Sequence, residues 1–324
     1  MRHHRAVIGA FICLLSLATA LTASPERWQR AFPKTDFSRS AIDFAEIRDG
    51  GPGRDGIPAI DAPRFRMVSN ETGLSPKEPV MVLAMEGVPA RAYPIRYLMW
   101  HEIVNDQVGR TPIAVTFCPL CNSGLIFDRR VGGQVLDFGV SGLLRNSDMV
   151  MYDRQTESFW QQATATGIVG RYMGTELTAL PAWMDAWENF RREYPDGLVL
   201  AAPATRRDYG RNPYVGYDRS ERPFLYRGEL PPHGIAALER VVRVGDKAWP
   251  VARLRDKGGV TEEGVTISWT AGQASALDHP RIPKGRDVGT IRVKDAATGQ
   301  DMPHDVMFAF AFHAFWPDGA WMLE

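Results

Sequence analysis

Two cysteines three positions apart, Cys118-Pro119-Leu120-Cys121, followed by Asn122-Ser123-Gly124, are the residues of this 324-residue chain whose type and spacing could do chemistry. A C-x-x-C pair can exchange disulfides, hold a metal ion or close a passive disulfide. In redox proteins built on such a pair the first cysteine starts a helix, whose amino-terminal dipole stabilises the thiolate. Here Gly124-Leu-Ile-Phe-Asp-Arg129 reads as a strand, which removes that source of activation. Strand, turn and strand resemble a metal-binding knuckle, in which Pro119 fixes the backbone and Asn122 takes a positive φ. Two thiolates supply half of a tetrahedral zinc site, and no second C-x-x-C supplies the rest. His101, 17 residues before Cys118, is the candidate third ligand. A thioether from Met149 or Met151 would suit Cu(I), although both methionines also read as core. The expectation is one soft or borderline ion, copper or zinc, on Cys118, Cys121 and His101. Two other readings stay open: a thiol–disulfide oxidoreductase using the same pair, and a non-catalytic accessory module that holds a small ligand or partner in the aromatic loop at 209–217.

The remaining polar residues point less sharply. Glu102 and Asp106 are four apart and could share a helical face as an acid/base pair, but Asp106-Gln-Val-Gly109 is a turn signal and favours a structural role. No G-x-S-x-G elbow, phosphate-binding G-x-x-x-x-G-K-[ST], H-E-x-x-H or dinucleotide fingerprint occurs. Lysine plus arginine count 38 and aspartate plus glutamate 38, so no net field draws the chain to nucleic acid or an anionic membrane.

The amino terminus reads as a secretory signal over 1–23: Met1-Arg2-His3-His4-Arg5 is basic, residues 6–20 are apolar, and Ala18-Thr19-Ala20 matches a cleavage pattern. Its apolar run is too short to span a bilayer, and Cys13 lacks the small residue that precedes a lipidated cysteine. The chain is therefore expected in the periplasm or outside the cell, not as an integral membrane protein, with Cys118 and Cys121 as its only cysteines.

The elements that must position the pair are mostly strands. Runs at 80–85, 92–98, 113–117, 125–131, 135–140 and 149–152 are short, rich in β-branched and aromatic residues and separated by turn residues. Gly132-Gly133 signals a tight hairpin. Further strands are expected at 241–244, 248–254 and 265–269, and Phe308, Phe310 and Phe312 alternate with small residues and His313 as in a strand. One helix is expected where Trp183, Trp187, Phe190 and Tyr194 recur behind Pro181 and Pro195-Asp-Gly197 ends the run; that aromatic stripe reads as core. No repeat period is visible. The expected fold is mainly β (α+β): a single compact unit over 24–324 of largely antiparallel sheets with a few helices. It comprises a wrapping segment at 24–65, a core at 66–202 and a β-rich portion at 203–324.

Arg91-Ala-Tyr-Pro-Ile-Arg-Tyr-Leu-Met-Trp-His-Glu-Ile-Val-Asn-Asp106, Val115-Thr-Phe-Cys-Pro-Leu-Cys-Asn-Ser123, Phe127-Asp-Arg129 and Ser141-Gly-Leu-Leu-Arg-Asn-Ser-Asp-Met-Val-Met-Tyr-Asp153 together resemble the bacterial and archaeal domain-of-unknown-function family 3179. Gly56-Ile-Pro-Ala-Ile-Asp-Ala-Pro-Arg-Phe65, Phe159-Trp-Gln-Gln162 and Tyr209-Gly-Arg-Asn-Pro-Tyr214 extend the resemblance. It implies that the chain beyond the signal is one family unit, and it implies no activity.

Overall fold

The computed structural model describes residues 25–324 apart from residue 206; the expected signal segment and Cys13 lie outside the described residues. Small antiparallel sheets dominate, as the strand spacing indicates, and Gly132 and Gly133 turn a hairpin with φ of 55° and 79°. The sequence shows no repeat period, yet the chain builds one arrangement twice.

In the first unit the strand Pro79–Leu83 pairs antiparallel with Arg91–Pro94, which runs straight into the helix Ile95–His101. A three-stranded sheet follows: Ile103–Val108, Thr111–Cys118 and Ser123–Asp128. Ala182–Ala186 then pairs with the outer side of Pro79–Leu83, the helix Trp187–Glu193 follows, and Leu198–Leu200 returns parallel to Arg91–Pro94. The second unit repeats these steps. Arg240–Val244 pairs with Lys247–Pro250, then come the helix Val251–Lys257 and the sheet Gly259–Glu262, Val265–Thr270 and Thr290–Asp295. Asp305–Phe308 pairs outside Arg240–Val244, the helix Ala309–Phe315 follows, and Ala320–Trp321 returns parallel to Lys247–Pro250.

Local conformation repeats as well. Pro94 (φ −59°, ψ 129°) and Pro250 (φ −58°, ψ 128°) each turn a strand into a helix, because the ring fixes φ while ψ stays extended. Tyr194 (φ −127°, ψ 66°) and Trp316 (φ −130°, ψ 68°) each end a seven-residue helix and are followed by Pro-Asp-Gly. Only fragments such as Ala92-Tyr-Pro and Ala248-Trp-Pro betray this in the sequence.

These junctions correct three expectations. The strands expected at 92–98 and 248–254 stop at Pro94 and Pro250, and two-turn helices replace their second halves. The helix expected from Trp183 begins only at Trp187, since Ala182–Ala186 extends to pair with Pro79–Leu83; Trp183, Trp187 and Phe190 still share one buried cluster. The strand expected through Phe312 ends at Phe308, and Phe310, Ala311 and Phe312 lie in a helix whose first four residues are all buried, so alternation there carries no facing information.

Between Asp128 and Ala182 the first unit carries an inserted antiparallel sheet in the order Ile47–Asp49, Phe138–Arg145, Asp148–Asp153, Phe159–Gln161, Thr166–Val169. Its first strand comes from the amino-terminal segment. The two units share one core that includes Phe117 and Phe127 from the first and Phe308, Phe310 and Phe312 from the second. Each of these buried rings contributes about 1.5–3 kcal/mol relative to exposure. Where the units meet, Ser123 Oγ and the Gly124 amide donate to Asp305, and reciprocally Thr290 Oγ1 donates to Asp185 at 2.9 Å. Among the described residues no helix is long and apolar enough to cross a membrane.

Candidate metal centre

Cys118 ends its strand opposite Ser123, so residues 119–122 make the whole connection between the two strands. The Cys121 amide donates to the Cys118 carbonyl at 3.3 Å, and Asn122 takes φ 54°, the left-handed value that its short polar side chain tolerates. The strand–turn–strand knuckle is therefore present. The second unit clamps it: the Phe308 amide donates to Cys121 O at 2.8 Å, and Asn122 Nδ2 donates to Val306 O at 2.7 Å.

A second turn from the inserted sheet meets the first. Arg145 pairs with Asp148 across the two-residue loop Asn146-Ser147, whose φ values of 50° and 63° match the hairpin turn with both central residues left-handed. This geometry brings the Ser147 carbonyl against both thiols, which donate to it at 3.9 Å from Cys118 and 3.4 Å from Cys121. It also brings Asp148 into the group. Cys118 Sγ, Cys121 Sγ and a carboxylate oxygen of Asp148 all lie within 4.8 Å of one another, and all three residues are buried. Asp148 Oδ2 accepts from Gln161 Nε2 at 2.6 Å and the Ala163 amide at 3.0 Å, whereas Oδ1 has no hydrogen-bond partner.

Glu102 adjoins this group. It caps the helix Ile95–His101 with φ 57° and ψ −33°, a conformation costing a non-glycine residue about 1–3 kcal/mol. The equivalent residue of the second unit, after Val251–Lys257, is Gly258 at φ 74°. Four acids are thus gathered in the interior, and each proton is held more tightly than usual. Burial first, and then Asp148, pushes the Glu102 carboxyl up to about 8, and burial pushes Asp148 up to about 6. Burial also raises both thiols, that of Cys121 strongly. Neither carboxyl has a cationic partner among the described residues. Glu102 and Asp106, readable as an acid/base pair, are separated: Asp106 lies in a strand and accepts from Tyr93 Oη at 2.7 Å and from Arg91.

His101 stands outside the thiol–carboxylate group. Its Nδ1 donates to the Pro58 carbonyl at 2.7 Å, which leaves Nε2 of the neutral ring to accept from Tyr209 Oη at 2.7 Å, and burial lowers the ring's affinity for a second proton. Both nitrogens are engaged in holding the amino-terminal segment and the aromatic loop. Met149 and Met151 are core residues, Met149 also lining a neighbouring cavity. Asp148, which follows the Asn146-Ser147 turn, is the third metal-ligating type of side chain that the fold brings beside the cysteines.

Two similarly built β units with a buried thiol–carboxylate cluster at their junction define the class of protein. The model of the family described as "Protein of unknown function (DUF3179)" matches residues 54–319, and the chain belongs to that family. No curated protein and no solved structure matches it.

Proposed function

We propose that the protein binds one soft or borderline metal ion, copper or zinc in character, through Cys118 Sγ, Cys121 Sγ and Asp148 Oδ1. The observation that carries this reading is the orphaned Oδ1 of a fully buried aspartate beside two buried thiols, in a cluster of acids with no counter-charge. A bound cation would displace the thiol protons and offset most of the charge that this leaves on its ligands. Tetrahedral ligation at about 2.3 Å to sulfur and 2.0–2.2 Å to oxygen sets ligand atoms about 3.5–3.8 Å apart, so modest closure of the group suffices. Three protein ligands leave an exchangeable position, which fits metal handling better than a closed structural site. Disulfide exchange with another protein has less support, because both sulfurs are buried and their thiols are held protonated, whereas exchange needs an accessible thiolate. The basic and apolar amino terminus supports export as part of the same reading.

The test is metal content by plasma mass spectrometry after anaerobic reduction and reconstitution with Zn(II) or Cu(I). About one ion per wild-type chain is expected, with loss in Cys118→Ser and Asp148→Asn and retention in His101→Gln. A wild type carrying no more metal than Cys118→Ser overturns the reading, and loss in Cys118→Ser and His101→Gln but not in Asp148→Asn would return the third ligand to the histidine.

A further inference from the structure

Beside the cluster lies a cavity of about 460 Å³, bounded by the amino-terminal segment, the cysteine turn, the inserted sheet and the aromatic loop. Its walls are carbon-rich, with Ile57, Leu120, Leu143, Met149, Tyr217 and Phe224 among the lining residues. The volume is at the small end of the roughly 300–1,000 Å³ range of ligand pockets, with room for a body of one or two rings. The side chains of Glu102, Tyr214, Ser220 and Arg222 in its lining make no hydrogen bond among the described residues, and of these only Glu102 is buried. The Glu102 side chain, 8% exposed and held by a strained backbone, makes no hydrogen bond among the described residues and lines the cavity. Tyr214 also lines it, near Glu102 and Cys118, and its hydroxyl has no partner there. Tyr217 is by contrast satisfied, donating to Leu120 O at 3.0 Å and accepting from the Phe224 amide at 3.1 Å. The one basic side chain of the lining, Arg222, belongs to an exposed residue and is solvated.

We infer that this cavity binds a small organic amine, its apolar body against the aliphatic and aromatic walls and its ammonium group on Glu102 and Tyr214. A carboxyl on an apolar wall with no protein donor favours a ligand that supplies one, and an ammonium supplies both donors and a positive charge. Tyr214, Tyr217 and Phe224 also line the cavity, and aromatic rings attract a cation placed over them. Glycine at the equivalent position of the second unit shows that the turn itself does not require a glutamate. The inference is independent of the metal reading, since it needs neither thiolate nor ion.

The experiment is calorimetric titration of chelator-treated, reduced full-length protein at pH 8 with benzylamine, benzyl alcohol and benzoate, three probes of one shape and different charge. Benzylamine is expected to bind at least tenfold more tightly than the alcohol, with benzoate not binding. Glu102→Gln is expected to weaken benzylamine at least tenfold while leaving the alcohol within twofold, and Tyr214→Phe to weaken it several-fold. Circular dichroism of each variant establishes folding. Equal binding of amine and alcohol, preference for benzoate, no binding of any probe, or an unaffected Glu102→Gln variant would overturn the inference. Metal content of the same preparations stands or falls separately.

Discussion

At the scale of single residues, the unusual feature is not the cysteine pair but Glu102. A glutamate at φ 57° whose largely buried side chain makes no hydrogen bond among the described residues carries two costs at once, backbone strain and partial desolvation, and no ion pair offsets them. Replacing it by the glycine that the second unit uses should relieve both. Glu102→Gly is expected to raise unfolding free energy by about 1–3 kcal/mol in urea titration, an uncommon sign for a buried substitution. A loss of stability would mean that the carboxyl has a stabilising partner in the folded protein. The cysteines were legible because C-x-x-C between strand-like runs has few readings. Glu102 was legible only as half of a conventional acid pair, since neither its φ nor its orphaned state is encoded within a few residues of it. The partners of His101 were hidden for a related reason: Pro58 and Tyr209, which occupy its nitrogens, lie 43 residues before it and 108 after.

At the scale of elements, the candidate site is the meeting of two tight turns from different sheets. The cysteine turn was readable from Pro119 and Asn122, but the Asn146-Ser147 turn gave no sign that it would face the thiols, because that depends on how the inserted sheet packs. Its left-handed pair is the hinge of the arrangement. Asn146→Val puts a β-branched residue where φ is 50°, which costs about 1–2 kcal/mol and tends to shift the hairpin register carrying Asp148. We expect a comparable drop in stability together with reduced metal content, while Asn146→Gly keeps both. Metal loss in the glycine variant would show that the asparagine side chain, not its backbone, matters. The short helices were hidden for another reason. Seven residues after Pro94 or Pro250 give too few turns for a helical period to emerge over the extended residues before them.

At the scale of the molecule, the two units clasp each other by reciprocal contacts, and one of these carries a measurable titration. Asp305, in the second unit, is fully buried and accepts from Ser123 and Gly124 of the first; burial nonetheless pushes its carboxyl up to about 6 from 3.8. The unfolded chain releases this proton near pH 3.8 while the folded chain keeps it to about pH 6. The native state therefore binds more protons in that window, so Asp305's contribution is fully present below pH 3.8, falls as pH rises through about 6 and is level above. The rise from 3.8 to about 6 corresponds to about 3 kcal/mol, an upper bound for a buried group. Asp305→Asn, which preserves the shape of the clasp, should lack this component. In urea titrations from about pH 3.5 to about 7.5, wild-type stability minus that of Asp305→Asn is expected to decline by about 1–3 kcal/mol with rising pH and to flatten above about pH 6.5. A difference that rises with pH would mean that the ionised carboxylate is the form the junction prefers. The Ser123 hydroxyl and Gly124 amide would then outweigh the burial that places Asp305 between the two units.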